Sequence, residues 1–365
     1  GLSPRAARAA RDERRATGAL GPPSGIGPTL LAPMLFAHGT PEQSGRFIEA
    51  MTVGNQTFAQ MLSEPDAGSD LAGVRTRAEQ DGDEWVITGS KIWTSNAGSV
   101  DYGMLLARTN WDVPKHAGLT FFLIRRDQPG VEVRPLRQMT GDAKFNQVFF
   151  DDARVPAADV LGDVDGGWAV TRTFLAHEKN SYNPDAHEGG PFGKVIGDMA
   201  AGAFIEHLKR QATTSAQGRG IGSALSDLVS GFDRGADPLV RQALARLHTT
   251  RQTMTFTNQR VKAARKGAKA SPATPAPGVE AAGSKLTVSA LTRAQRDLGL
   301  AVQGPYGMLT GDDAPAATFQ YFALSTPALS IAGGTDEIQR NHLGERVLGL
   351  PSEPSPERTV PFKDL

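Results

Sequence analysis

Three separated blocks hold the residues of this chain whose types and spacing could do chemistry. Ser63-Glu64-Pro65-Asp66-Ala67-Gly68-Ser69-Asp70 is a turn of small residues, which lets backbone N–H groups approach a planar ring or its carbonyl oxygens. Lys91-Ile92-Trp93-Thr94-Ser95-Asn96 carries an indole and two hydroxyls in adjacent positions. Trp93 can stack beside a planar heteroaromatic ring and Ser95 can donate a hydrogen bond to it. Far downstream, Gly333-Gly334-Thr335 stands before a helical pattern that runs from Asp336 to Val347. Thr335 can cap that helix, and the exposed N–H groups at its positive end form an anion site. Each block alone has a plainer reading as a turn, a core tryptophan or a helix cap, and the weight comes from their company.

The elements that must position these blocks change character along the chain. Ile26 to Phe36 and Glu42 to Met51 read as the remnant of helices, after a break at Gly21-Pro22-Pro23. Phe58 to Leu62 reads as a strand leading into the first block. Short β-rich runs follow at 84–88, 102–107, 119–124, 130–136 and 145–150, separated by Asp-Gly, Pro-Gly and Thr-Gly-Asp turns, and predict a compact, mostly antiparallel β-domain. After Val155-Pro156 the pattern turns helical, from Trp168 to Tyr182 and then over 197–216, 237–265, 284–303 and 314–326. An Ala/Pro/Lys/Gly-rich stretch over 263–283 cannot bury a core face and is expected to be an exposed, mobile connection. The expected fold class is α+β, with an N-terminal helical remnant over 1–57, the β-domain over 58–160, a C-terminal helical bundle over 161–350 and a tail over 351–365.

Composition excludes several function classes. Lys plus Arg and Asp plus Glu both number 39, so no net field attracts nucleic acid or an anionic membrane. Without cysteine there is no disulfide framework, zinc-thiolate site or thiol nucleophile. The histidines lack ligand spacing such as His-x-x-x-His, so no metal site is expected. No apolar run of about 18 residues could span a bilayer, and the Arg- and Ala-rich start lacks the apolar core of a secretory signal, which makes a cytoplasmic location the default.

In this order the three blocks resemble the flavin-binding and active-site segments of the acyl-CoA dehydrogenase family, over about Ile26 to Pro351. The resemblance implies a β-domain between helical domains, FAD as cofactor, an acyl-CoA substrate, electron-transferring flavoprotein as electron acceptor and a homo- or hetero-oligomer. It places Leu62 and Ser63 against the flavin ring edge and Ser69 near both flavin and substrate. It implies that Trp93 and Ser95 contact the ring, that Thr335 belongs to the loop on the pyrophosphate side, and that the backbone N–H of Gly333 grips the thioester carbonyl. Thr140-Gly141-Asp142 and the run from Phe145 to Pro156 resemble the segments that close the β-domain. Glu345 to Pro351 resembles the family's terminal helix and its stop.

Several departures accompany the resemblance. Family members carry a longer helical domain before the first block. Where many have a glutamate base just before the downstream Gly-Thr pair, this chain has Gly333. A second pattern, seen in branched-chain and long-chain members, puts that glutamate on the first long helix after the β-domain; Leu175-Ala176-His177-Glu178-Lys179 occupies the place, with Lys where the family has Arg. Glu178 is therefore the expected base. The family's Arg-x-x-Phe-Gly motif is absent, Gly218-Arg219-Gly220 is no substitute for it, and Gly304-Pro305-Tyr306-Gly307 lacks the expected glutamine in register. Two alternatives stay open: a non-catalytic subunit whose partner carries the base, and a related flavin oxidase or monooxygenase that reacts with O₂.

Overall fold

The computed structural model describes residues 3–17, 25–181, 221–267, 278–309, 318–355, 357 and 359–365. They fall into two compact units, one from Gly1–Gln138, Ala143–Asp198 and Pro354–Leu365, the other from Met139–Asp142 and Met199–Glu353. No helix among the described residues is long and apolar enough to cross a membrane.

The first unit is built on a sheet of β1 (Phe58–Met61), β2 (Arg77–Asp81), β3 (Glu84–Ser95), β4 (Tyr102–Arg108), β5 (Leu119–Arg125), β6 (Val131–Leu136), β7 (Phe145–Pro156) and β8 (Val160–Leu161). Their order is β6-β7-β3-β2-β4-β5-β8, with β1 pairing β4 off this path. The pairs are antiparallel except that β1 and β2 each run parallel to β4, as the β-rich runs predict. β4 and β5, Tyr-Gly-Met-Leu-Leu-Ala-Arg and Leu-Thr-Phe-Phe-Leu-Ile-Arg, are apolar without alternation because both their faces are buried.

Helix α1 (Pro4–Thr17) comes first, and on one face of the sheet Met104, Leu106, Phe121 and Leu123 pack with Met34, Leu35, Phe47, Val170 and Phe174 from three further helices, α2 (Ala32–His38), α3 (Pro41–Thr52) and α4 (Gly167–Ser181). On the other, Leu105, Phe122 and Ile124 pack with Trp85, Ile87, Phe150 and Val155. A Thr40/Gln43 capping box starts α3, and the Gln43 side chain also donates to the carbonyls of Ala158 and Val160, fixing that helix to β8.

β3 and β7 run well past the predicted 84–88 and 145–150. Their pairing shifts register between Ile87 and Gly89 and again between Lys91 and Thr94, so the apolar alternation that marks a strand is broken while the ladder continues. The predicted separate tail is also different: residues 359–365 return to the first unit, where Phe362 N donates to Val113 O and Lys363 N to Trp111 O, and Phe362 is buried.

The second unit is helical, with α5 (Ile221–Gly231), α6 (Pro238–Gly267), α7 (Gly278–Gln303), α8 (Thr318–Ser325) and α9 (Asp336–Arg346). Leu228, Val240, Leu291, Leu298, Val302 and Phe319 form its core. Gly299 lets Phe319 lie against the backbone of α7, since a Cβ there would sit 2.0 Å from the Phe319 ring. The predicted connection over 263–283 is narrower than its composition suggests. The Ala, Arg and Lys of 263–266 are good helix formers and stay in α6, and helix resumes at Gly278. Residues 268–277, the predicted helix over 197–216, the start of the one over 314–326 and Gly218-Arg219-Gly220 lie outside the described residues.

Candidate active site

The first two blocks meet in the first unit. Ile92 N donates to Ser63 O at 2.9 Å, which lays the small-residue loop along β3 one residue before Trp93. Beneath that contact Lys91 is wholly buried, and its Nζ donates to Glu64 Oε1 at 2.7 Å and to Leu62 O at 3.0 Å. Glu64 accepts in addition from the backbone N–H groups of Arg75 and Thr76, at 2.6 and 2.8 Å. One carboxylate thus closes the loop from 64 to 76 on itself and ties it to β3.

The electrostatics follow from burial against pairing. Burial opposes ionisation of Glu64, yet the Lys91 charge and the hydrogen bonds from Lys91, Thr76 and Arg75 hold its carboxyl below the usual value. Burial, helped by the nearby Arg108 charge, pushes the Lys91 ammonium down to about 8 against the pull of Glu64.

Trp93 sits where the second register shift falls. Lys91 pairs with Val148 and Thr94 with Asn146, so Ile92 and Trp93 together face Gln147. Its φ is +62°, a left-handed conformation that a bulky L-residue rarely adopts, and the residue is 55% exposed, its ring in a T-shaped contact with Phe145. Strain of this kind persists where the surroundings impose it, and it gathers at functional sites. Ser63 and Ser95 are half-buried around this position and Ser69 is exposed on the loop. The Leu62 side chain joins the core, and what it offers the loop is its carbonyl.

Asp70, next to Ser69, is gripped by Lys115 Nζ at 3.0 Å to each carboxylate oxygen. Arg108, the last residue of β4, is fully buried and donates to the carbonyls of Ala72, Val74 and Lys115. Glu178 lies near the end of α4, half-buried; it belongs to the first unit, as do Leu62, Ser63, Ser69, Trp93 and Ser95.

Gly333 and Thr335 belong to the second unit. Gly333 and Gly334 have φ of +67° and +85°, two successive left-handed residues that turn the chain into α9. Thr335 caps α9 as predicted, its hydroxyl accepting from Ile338 N at 3.2 Å. Asp336 does more than favour the helix N-terminus. It is buried against Lys285 and Arg293, and although burial opposes its ionisation, hydrogen bonds from Arg293 and Ser330 and the charges of Lys285 and Arg293 hold its carboxyl below the usual value.

One face of α7 fastens this loop. Lys285 donates to Gly334 O, Ser289 to Leu329 O, Arg293 to Ser330 and Arg296 to Thr326. Sequence reasoning passed over these residues and the Glu64–Lys91 pair. The α7 set had a legible signal, because 285, 289, 293 and 296 recur at helical spacing as a polar stripe. Lys91 had none, since an isolated lysine on a strand reads as a solvated residue.

Comparison with known proteins gives one family. Residues 59–153 match the family model "Acyl-CoA dehydrogenase, middle domain" and residues 226–348 match "Acyl-CoA dehydrogenase, C-terminal domain". The chain is 39% identical over 331 residues to the acyl-CoA dehydrogenase IpdE1 of Mycobacterium tuberculosis, covering 90% of this chain and 76% of that protein. It is 42% identical over 218 residues to the acyl-CoA dehydrogenase FadE34 of the same organism, covering 58% of this chain and 31% of that one. Among solved structures, the "Tcur3481-Tcur3483 steroid ACAD" superposes with a TM-score of 0.70 at 26% identity, covering 90% of this chain and 77% of that chain. The ChsE4-ChsE5 complex from Mycobacterium tuberculosis gives 0.68 at 27%, covering 93% and 81%.

Proposed function

Because the chain belongs to the acyl-CoA dehydrogenase family, a family of FAD flavoproteins, we propose that it binds FAD noncovalently and dehydrogenates an acyl-CoA thioester to the trans-enoyl-CoA, with electrons passing to an electron-transferring flavoprotein. Trp93 carries this reading: an exposed indole, held in a left-handed conformation at a β-bulge, one residue from the hydrogen bond that joins it to the Ser63 loop. A fold keeps such strain where a large flat partner needs the indole turned outward.

The residues present fit that cofactor. Trp93 offers a face for the ring, Ser63 and Ser95 offer hydroxyls, and Leu62 and Ser69 flank them on the same loop. In the second unit the Gly333-Gly334 turn and the Thr335-capped start of α9 present backbone N–H groups suited to a diphosphate. When bound, FAD accepts the hydride from the β-carbon. The Gly333 N–H donates to the thioester carbonyl, a role that needs no side chain, and so stabilises the negative charge that develops as the α-proton leaves. The Glu178 carboxylate takes that proton, its basicity raised when the acyl chain excludes water around it.

The purified protein should release FAD on denaturation. Anaerobic addition of acyl-CoAs should bleach the flavin for at least one member of a panel of straight, branched and steroid-derived thioesters. Absence of FAD under every condition would refute the proposal, and rapid O₂ consumption during turnover would favour an oxidase instead.

A second reading has its own support. Gly333 supplies no carboxylate, and the two solved relatives above are each named for two components, one of the two being a steroid enzyme. In this reading the chain is one member of an unlike oligomer acting on a bulky polycyclic acyl-CoA. Flavin reduction that requires co-expression with a second chain would establish it, and a fully active homomer by light scattering would exclude it.

A further inference from the structure

Phe362 covers the buried guanidinium of Arg108, with the Arg108 Cζ 3.4 Å from the ring centroid. Arg108 makes four hydrogen bonds, and every one goes to a backbone carbonyl: Ala72 at 2.6 Å, Val74 at 3.1 Å, and Lys115 twice at 3.2 Å. A cation with no exposed surface is costly unless its charge is matched. Glu64 and Asp70 act on it only through their field, and burial still pushes it down to about 10. The negative face of the Phe362 ring is the nearest compensating group, with the Trp111 ring farther off at 5.9 Å, and the same Phe362 ring also receives the Arg75 guanidinium at 5.0 Å. Phe362 itself is only 2% exposed. It is held in place by its backbone bond to Val113, by the bond from Lys363 N to Trp111, by the Lys363–Asp112 ion pair, and by the Trp111 ring at 5.4 Å.

Two of the carbonyls that Arg108 grips, those of Ala72 and Val74, lie in the loop proposed to receive the flavin. Val74 immediately precedes the Arg75 and Thr76 amides that donate to Glu64, with Ala72 two residues before Val74, and Glu64 is bound to Lys91, two residues before Trp93. Lys115, whose carbonyl takes two of the four bonds, uses its ammonium to fix Asp70 beside Ser69. Arg108 therefore grips the segment from 70 to 76 in its middle through Ala72 and Val74, at Thr76 through its own backbone N–H at 2.7 Å, and at Asp70 only through Lys115.

We propose that Phe362 and Arg108 act together as positioning residues for the 63–76 loop, so that a segment nearly 300 residues away in sequence sets the shape of the proposed flavin site. With the ring removed, water reaches the guanidinium, its hold on Ala72 and Val74 weakens, and the Glu64 network loosens behind it. The proposal rests on the flavin reading for its functional meaning, though not for its structural content.

The test compares Phe362→Leu, which keeps apolar bulk and loses the ring face, with Phe362→Tyr, which keeps both, in the full chain. Hydrogen exchange of the amides at 72–76 should be about tenfold faster in the Leu variant and near wild type in the Tyr variant. The FAD dissociation constant should rise by a similar factor for Leu alone. Unchanged exchange at 72–76 in Phe362→Leu would overturn the proposal. So would equal acceleration across β4 and β5, which is what simple loss of packing produces. If wild type and variants alike bind no FAD, the functional reading fails, and the exchange pattern still decides whether Phe362 and Arg108 position the loop.

Discussion

Lys91 Nζ lies 2.7 Å from Glu64 Oε1, and this buried pair joins the loop of Ser63 and Ser69 to the strand of Trp93. Removing one partner leaves the other charge buried without compensation, at a cost of about 3–5 kcal/mol. Lys91→Met should therefore destabilise the first unit strongly, and combining it with Glu64→Gln should recover part of the loss. All four tryptophans, Trp85, Trp93, Trp111 and Trp168, lie in that unit, so their fluorescence during urea unfolding reads its stability directly. A double variant no more stable than Lys91→Met would show that the two charges are not coupled.

The same pair sets a pH dependence whose two limbs differ in sign. Glu64 is depressed below 4.5, so its contribution is complete above that pH and is lost as acid takes the carboxyl through its folded-state value. Lys91 falls from 10.5 to about 8, so between those values the unfolded chain binds more protons and the Lys91 contribution grows with rising pH. The stability of wild type relative to Lys91→Met should increase from pH 8 towards 10.5. A gap that narrows over that range would contradict the burial that depresses Lys91.

Trp93→Gly separates the functional tryptophan from a packing one. Glycine accepts a φ of +62° without strain and the indole is mostly exposed, so the flavin-free variant should unfold no earlier than wild type, within about 0.5 kcal/mol or slightly more stable. Its flavin retention, read from visible absorbance against protein absorbance, should fall sharply. A variant that loses stability while keeping flavin would return Trp93 to core packing.

What the sequence made legible was local or periodic. The cap at Thr335 depends on one side chain and the helix it starts, and the long helices α6 and α7 follow from their 3.6-residue pattern. The conjunction of the first two blocks was legible as well, and the Ile92–Ser63 bond is its physical form. The network beneath was not legible, because it is made of long-range contacts between residues that individually look ordinary. Lys91 reads as a surface lysine, and β3 reads as ending at Thr88 because its bulges break the alternation. Phe362 lies in a stretch of Pro, Lys and Asp that has no period at all, and only the folded chain brings it onto Arg108.

The assignment of Glu178 as base leads to a prediction that the geometry at Gly333 sharpens. A well-placed carboxylate contributes about 10²–10⁴ in rate, so Glu178→Gln should slow anaerobic flavin reduction by that order while FAD stays bound. Moving the carboxylate to the downstream loop is harder than the sequence alone suggests. Gly333 has a φ of +67°, where a side chain costs about 1–2 kcal/mol, and its carbonyl accepts from the Gln339 side chain, which any shift of the loop disturbs. Gly333→Glu in the Glu178→Gln background should therefore lower the melting temperature of the second unit and restore at most a minor part of the rate. Full restoration would mean the loop relaxes freely to accept a side chain, and flavin reduction at the wild-type rate in Glu178→Gln alone would remove Glu178 from the chemistry.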